Sequence, residues 1–219
     1  MVALKINNAT DMLGIVDVQP DFMPGGKLPV VDGDQVVPVI NKLLADRFSY
    51  AFATQDWHPE GHSSFASSHP GKLVFETVEL PYGSQTLWPD HCIQTTPGAD
   101  LHSALDHSKI NLIVRKGFRP EVDSYSAFFE NDHKTTTGLH GWLQARGVRR
   151  LFLSGISTDY CVAYSAEDAL NLGYQVFLVE DACRGIHMPL ESGGTTVDAA
   201  KRRLLAAGAI LIDSSAIGS

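Results

Sequence analysis

The stretch Arg150-Leu151-Phe152-Leu153-Ser154-Gly155-Ile156-Ser157-Thr158-Asp159-Tyr160-Cys161 is the core of a strand–loop–helix unit. The apolar run Arg150 to Ser154 predicts a buried strand, and Cys161 to Leu172 predicts a helix that stops before Gly173. The loop between them sets a cysteine in the first helical turn. A thiol there meets unpaired backbone N–H groups and the positive end of the helix dipole. Both favour thiolate, which is the reactive form. The same N–H groups can stabilise a developing oxyanion. The geometry suits a cysteine nucleophile attacking a carbonyl, and the alternative is a buried structural cysteine.

Outward from this unit, strand-like and helix-like runs alternate. Met12 to Val18, Ser49 to Thr54, Asn111 to Arg115, Gln175 to Val179 and Ala209 to Ile212 predict five further strands. Asp34 to Asp46, Thr137 to Arg146 and Val197 to Ala207 predict helices, the last two stopping at Gly147 and Gly208. Six strands with intervening helices imply an α/β fold: a doubly wound, mostly parallel six-stranded sheet with helices on both faces. The active site of such a sheet lies beyond the carboxyl ends of its strands. Asp17, Asp56, Lys116 and Gly155 onward all fall there. The stretch from Asp56 to about Ala99 lacks periodicity and is rich in His, Pro, Gly and Ser, as functional loops often are. The Gly/Ser/Thr cluster Ser192 to Thr196 reads as a loop or a helix start.

Composition narrows the classes. The 219 residues fit a single domain spanning 1–219, with 44% hydrophobic and 19% charged residues. A net charge of −8 argues against nucleic acid and against an anionic membrane as partners. Three widely spaced cysteines do not form a disulfide framework and point to a reducing compartment. No basic-then-apolar leader and no apolar run of about 20 residues is present, so the expected location is the cytoplasm. An oligomeric state cannot be read from the sequence, and a homo-oligomer stays open.

Two clusters carry chemistry. Asp56 and His58, at i and i+2 after a strand, can face the same side, and His62 and His91 lie in the same long loop. Imidazole with carboxylate suits Zn, Fe or Mn, and one Asp with two His leaves open positions for water or substrate. Surface histidines in a polar loop are the alternative. Asp17 ends an apolar strand, where desolvation should raise its pKa unless a cation compensates. Lys116 ends another strand and can be that cation. If both meet Cys161, the site holds a nucleophile, a base and a positive group.

Taken in order, Asp17-Val18-Gln19-Pro20-Asp21-Phe22, Gln55-Asp56-Trp57-His58-Pro59, Trp88-Pro89-Asp90-His91-Cys92, Lys116-Gly117, Asp123 to Phe128, Gly155 to Cys161 and Asp181 to Gly185 resemble the nicotinamidase (pyrazinamidase) family of the isochorismatase-like cysteine hydrolase superfamily. The Trp-Pro-x-His-Cys segment points to its metal-dependent branch. The resemblance implies Cys161 as nucleophile, Asp17 as general base and Lys116 as the third triad member. It implies one divalent transition metal (Zn, Fe or Mn) on Asp56, His58 and His91, with His62 an open fourth position. It implies Phe22, Trp88 and Tyr125 as substrate-binding residues, and a cis Ile156–Ser157 bond that turns the Ser157 N–H toward the oxyanion beside that of Cys161. The implied reaction is deamidation of nicotinamide to nicotinate and ammonia through a thioester, with pyrazinamide also accepted, serving pyridine nucleotide (NAD) salvage. Pro20 stands where many members have Asn, and Ser157 where Ala is common; neither removes a reacting group. A metal-free relative acting on a carbamoyl group would have no use for Asp56, His58 and His91. A binding scaffold would not need Cys161, and a structural zinc site would need a fourth ligand such as His62 or Cys92.

Overall fold

The computed structural model describes residues 4–218. Six strands form the central sheet: β1 Asp11–Val16, β2 Ala51–Asp56, β3 Ile110–Lys116, β4 Arg150–Ile156, β5 Gln175–Arg184 and β6 Ile210–Ile212. Their spatial order is β3-β2-β1-β4-β5-β6, and every neighbouring pair is parallel. The sheet is thus wholly parallel, where the sequence predicts a mostly parallel one. The chain lays strands outward from β1 in one direction, then returns to the other flank of β1 with β4. The carboxyl ends of β1 and β4 therefore border the crevice where such sheets bind ligands.

Burial on both faces explains the uniformly apolar strands. All six residues of β1 are buried, as are all six of β2. Leu13 and Ile15 pack with helix α1 (Val36–Asp46) through Val36, Val37, Ile40, Leu43 and Leu44. Met12, Leu151 and Leu153 face the other way, onto α2 (Leu139–Ala145), α3 (Cys161–Asn171) and α4 (Thr196–Ala207). Helices thus cover both faces, as the sequence pattern requires. None of them is long and apolar enough to cross a membrane.

Three details differ from the sequence reading. Strand β5 runs past Val179 to Arg184, because pairing with β4 slips from Leu153↔Leu178 to Gly155↔Cys183 across a bulge. Polar Glu180 and Asp181 within that bulge end the apolar run, which hides the continuation. The aperiodic Asp56–Ala99 stretch contains an antiparallel hairpin, Thr77–Leu80 with Gly83–Thr86. Its four-residue strands are mostly half-buried and too short to show a period. Leu4–Lys5 also pairs with Ile217–Gly218, two dipeptides that no pattern would reveal. The Ser192–Thr196 cluster is a helix start: Thr195 caps α4 in a reciprocal capping box with Asp198.

Candidate active site

Asp17, one residue past β1, adopts φ 46° and is fully buried. The Thr54 hydroxyl on β2 accepts from the Asp17 N–H at 3.1 Å and donates to Asp17 Oδ1 at 2.6 Å. Asp17 Oδ2 makes no hydrogen bond of its own beyond its ion pair with Lys116 Nζ, at 2.8 Å. Lys116, the last residue of β3, is buried too. Its ammonium is shared among Asp17, the Asp56 carboxylate and the Ser124 carbonyl at 3.0 Å, and it lies 3.4 Å from Cys161 Sγ. Oxygens of Asp17 and Asp56 and the Cys161 sulfur all lie within 4.8 Å of one another. Three strand ends and the α3 N-terminus thus deliver these side chains to one point. Gly155, at φ 110°, permits the approach: a Cβ there would stand 2.0 Å from the Val16 carbonyl oxygen. The Ile156–Ser157 peptide is cis, and Tyr160, at the N-cap of α3, makes no side-chain cap.

Electrostatics separates the two carboxylates. Burial raises the Asp17 pKa, with Asp56 pushing the same way and Lys116 only partly offsetting it. Burial also acts on Asp56, but Lys116 and His58 outweigh it and hold that carboxyl well below the usual range. Paired acids with divergent pKa values are suited to different tasks: Asp17 to exchange a proton, Asp56 to remain an anion. Cys161 departs from the sequence expectation. Burial pushes its thiol well above the ordinary value, and the carboxylates of Asp17 and Asp56 add to this despite Lys116. Burial and the two carboxylates thus favour the neutral thiol, which calls for a base.

Asp56, His58 and His91 converge nearby. Both histidine Nε2 atoms face Asp56 Oδ2, each at 3.6 Å. His58 Nδ1 lies 2.9 Å from the Gly117 carbonyl, and His91 Nδ1 lies 2.7 Å from the Pro89 carbonyl. Carbonyls only accept, so each Nδ1 carries the hydrogen and each Nε2 turns its lone pair inward. Two lone pairs and a carboxylate oxygen at that spacing are too far apart for hydrogen bonds and are suited to a cation between them. The charge balance agrees, since Asp17, Asp56 and Asp123 are buried against Lys116, the one buried ammonium among the described residues. The residues fit a divalent metal. His62 is brought beside His58, with ring centroids 4.5 Å apart, but its Nε2 lies 2.9 Å from the Arg119 carbonyl and its Nδ1 meets Ser64. Both His62 nitrogens are thus engaged outside the three-residue cluster.

Gly117 is what lets His58 reach its carbonyl. It has φ 64°, and a Cβ there would stand 2.5 Å from His58 Cε1 and 2.7 Å from Nδ1. Gly117→Ala is expected to swing the imidazole away and weaken metal binding about 10- to 100-fold, as loss of an orienting partner does elsewhere. Metal retained after dialysis, measured by elemental analysis, checks this; full retention at wild-type affinity would contradict it.

Cys161 and the Asp56–His58–His91 cluster line one pocket, together with Phe22, Trp88, Tyr125, Ser157 and Ile186, while Asp17 and Lys116 lie buried behind the sulfur. Phe22 meets His91 edge-on at 5.4 Å, and Trp88 meets Tyr160 edge-on at 4.8 Å. The family model of the Isochorismatase domain matches residues 11–216. The chain belongs to the isochorismatase family. Within this family it is 49% identical over 189 residues to a nicotinamidase of Acinetobacter baylyi, covering 86% of this chain and 88% of that one. Among solved structures it resembles an Acinetobacter baumanii nicotinamidase pyrazinamidase, with TM-score 0.90 and 46% identity over 96% of this chain and 99% of the other. It also resembles PnC1 from L. infantum in complex with nicotinate (TM-score 0.84, 38% identity, 99% and 98% covered). A third is the pyrazinamidase of Pyrococcus horikoshii in complex with zinc (TM-score 0.72, 32% identity, 93% and 98% covered).

Several residues of this family site carry no role in the sequence reading. Gln19 is fully buried; its amide donates to the Asp56 and Ala99 carbonyls, each at 2.9 Å, and its carbonyl accepts the Asp56 N–H at 2.8 Å. It ties the β1 loop to the end of β2 and so fixes the backbone of Asp56. Gln85, on the hairpin, donates to Tyr125 Oη at 2.9 Å and to Asp123 Oδ2 at 3.0 Å, and Trp88 Nε1 donates to the same Tyr125 oxygen at 3.1 Å. Buried glutamines are the one available signal, because they persist only with partners. Cys92, the other fourth-ligand candidate, is buried, with its sulfur 3.9 Å from the Gly98 carbonyl and its N–H donating to Asp21 at 2.7 Å.

Proposed function

We propose that this chain, acting as one isochorismatase-like domain over 1–219, is an amidohydrolase that converts nicotinamide to nicotinate and ammonia and also accepts pyrazinamide. The observation that carries this reading is that Cys161, backed by the buried Asp17 and Lys116, lines the same aromatic-walled pocket as Asp56, His58 and His91. The nicotinamidase relatives and the nicotinate complex of a neighbour support the substrate class. A neighbour's zinc complex supports a metal.

Phe22, Trp88 and Tyr125 hold the flat ring and exclude water. Asp56, His58 and His91 would hold a divalent metal, which would supply Lewis acidity toward a ring nitrogen. Asp17, with its raised pKa, takes the Cys161 thiol proton as the sulfur attacks the carboxamide carbon. The Ser157 and Cys161 N–H groups receive the oxyanion. As the C–N bond breaks, Asp17 returns the proton to the departing nitrogen, releasing ammonia and leaving a thioester on Cys161. Asp17 then deprotonates a water that attacks the thioester; nicotinate leaves and the thiol is restored. Lys116 keeps Asp17 ionised between these transfers and stabilises charge on the sulfur. His62, with both nitrogens engaged, stands outside the metal set. The reaction serves NAD salvage in the cytoplasm.

The test is ammonia release from nicotinamide before chelation, after chelation, and after add-back of Zn, Fe or Mn in turn. Turnover that falls to background on chelation and returns with one of these metals is expected. Turnover that survives complete metal removal would reject the metal's part and favour a metal-free amidase, and no turnover with any metal would reject nicotinamide as substrate.

A further inference from the structure

Asp159 lies between the oxyanion loop and the nucleophile and is 4% exposed. It takes no part in the chemistry proposed above. Its carboxylate accepts the N–H of Ile186 at Oδ1 and of His187 at Oδ2, each at 3.0 Å, and the Thr196 hydroxyl at Oδ2 at 2.5 Å. Thr196 closes the circuit: its hydroxyl accepts the Met188 N–H at 3.0 Å, and its own N–H donates to the Met188 carbonyl at 2.9 Å. Gly185 brings the chain against this group, since a Cβ there would stand 2.3 Å from Val197 Cγ2 and 3.1 Å from Asp159 Oδ1. The segment fixed in this way carries Ile186, which lines the pocket with Cys161 and Phe22.

Three donors converge on one side chain, and only an acceptor-only group satisfies all of them. Asparagine would turn an NH₂ toward at least one N–H or O–H donor. We infer that Asp159 is a positioning residue that fixes Ile186 as the wall limiting which ring substituents the pocket admits. It thereby sets substrate selectivity without touching substrate. This inference rests on the carboxamide-hydrolase reading above.

The test compares Ile186→Ala, Asp159→Asn and Thr196→Val with wild type on nicotinamide and on nicotinamides methylated in turn at each free ring carbon. Ile186→Ala is expected to raise kcat/KM for at least one methylated substrate, relative to nicotinamide, by about 10-fold or more, the scale of one methyl in an apolar pocket. Asp159→Asn and Thr196→Val are expected to raise the ratio for the same substrate. A general loss of folding or packing would lower all substrates together and leave the ratio unmoved. Thr196→Val is near-isosteric and removes one donor from the carboxylate, so it carries the comparison even if Asp159→Asn does not fold. A ratio unchanged in Thr196→Val, or changed in it but for a different substrate from Ile186→Ala, would overturn the inference while wild-type turnover of nicotinamide leaves the underlying function standing. Absence of wild-type turnover would overturn both.

Discussion

Cys161→Ala is expected to reduce nicotinamide turnover by on the order of 10⁴-fold or more, with the fold intact. The sulfur lines the pocket and is placed both to attack a carbonyl and to pass a proton to a carboxyl group: it lies within 4.8 Å of Asp17 and 3.4 Å from the Lys116 ammonium. Its raised pKa makes the base indispensable, because the resting thiol is neutral. Asp17→Asn is therefore expected to cost nearly as much, and the double variant little more than either single one, since the two residues act as a unit. Ammonia release under substrate saturation measures all three. Elemental analysis should find wild-type metal content in Cys161→Ala, because sulfur is not among the Asp56–His58–His91 donors. Residual turnover in Cys161→Ala within tenfold of wild type would remove the covalent mechanism and leave direct attack by water.

The fold was legible because a wholly parallel sheet must bury both faces, and that requirement writes continuous apolar runs such as Met12–Val18 and Arg150–Ser154 into the chain. Asp17 and Lys116 drew notice at strand ends for a complementary reason: either alone could cap a turn or face solvent, but ligands of such a sheet bind beyond its carboxyl ends, where Cys161 also falls. The state of the Cys161 thiol is not legible in the sequence, because its environment is set by tertiary burial. Local position supplies the helix N-terminus, but only the packed structure supplies desolvation and the two carboxylates. The hairpin and the bulge in β5 were hidden because short, half-exposed strands and polar insertions leave no period to detect. Gln19, Gln85 and Asp159 were unassigned for another reason. Each acts on groups far along the chain, Gln19 on the Asp56 and Ala99 backbone, Gln85 on the Asp123 and Tyr125 side chains, Asp159 on the Ile186 and His187 backbone, and sequence spacing says nothing about such partners.

Lys116→Met is expected to cost about 3–5 kcal/mol of stability, the scale of removing one partner from a buried charge network. Methionine keeps the length and apolar stem but removes the ammonium, so lost packing contributes little. What remains is Asp17 and Asp56 facing one another without the cation between them, and a Ser124 carbonyl without its donor. Burial alone would lower the lysine pKa, but the two carboxylates more than reverse this and lift it well above 10.5. A folded pKa above the unfolded one means that the lysine's contribution is whole below pH 10.5 and fades only as pH rises through the folded value. The deficit of Lys116→Met should therefore be undiminished at neutral pH, where denaturant unfolding can measure it. Adding Asp17→Asn removes the repulsion between the two carboxylates, leaving one buried anion, and should recover part of the stability while leaving turnover lost, because the base is then gone as well. Stability within about 1 kcal/mol of wild type in Lys116→Met, the range of an exposed pair, would show that water or a proton already compensates these carboxylates and that the lysine is not what holds them together.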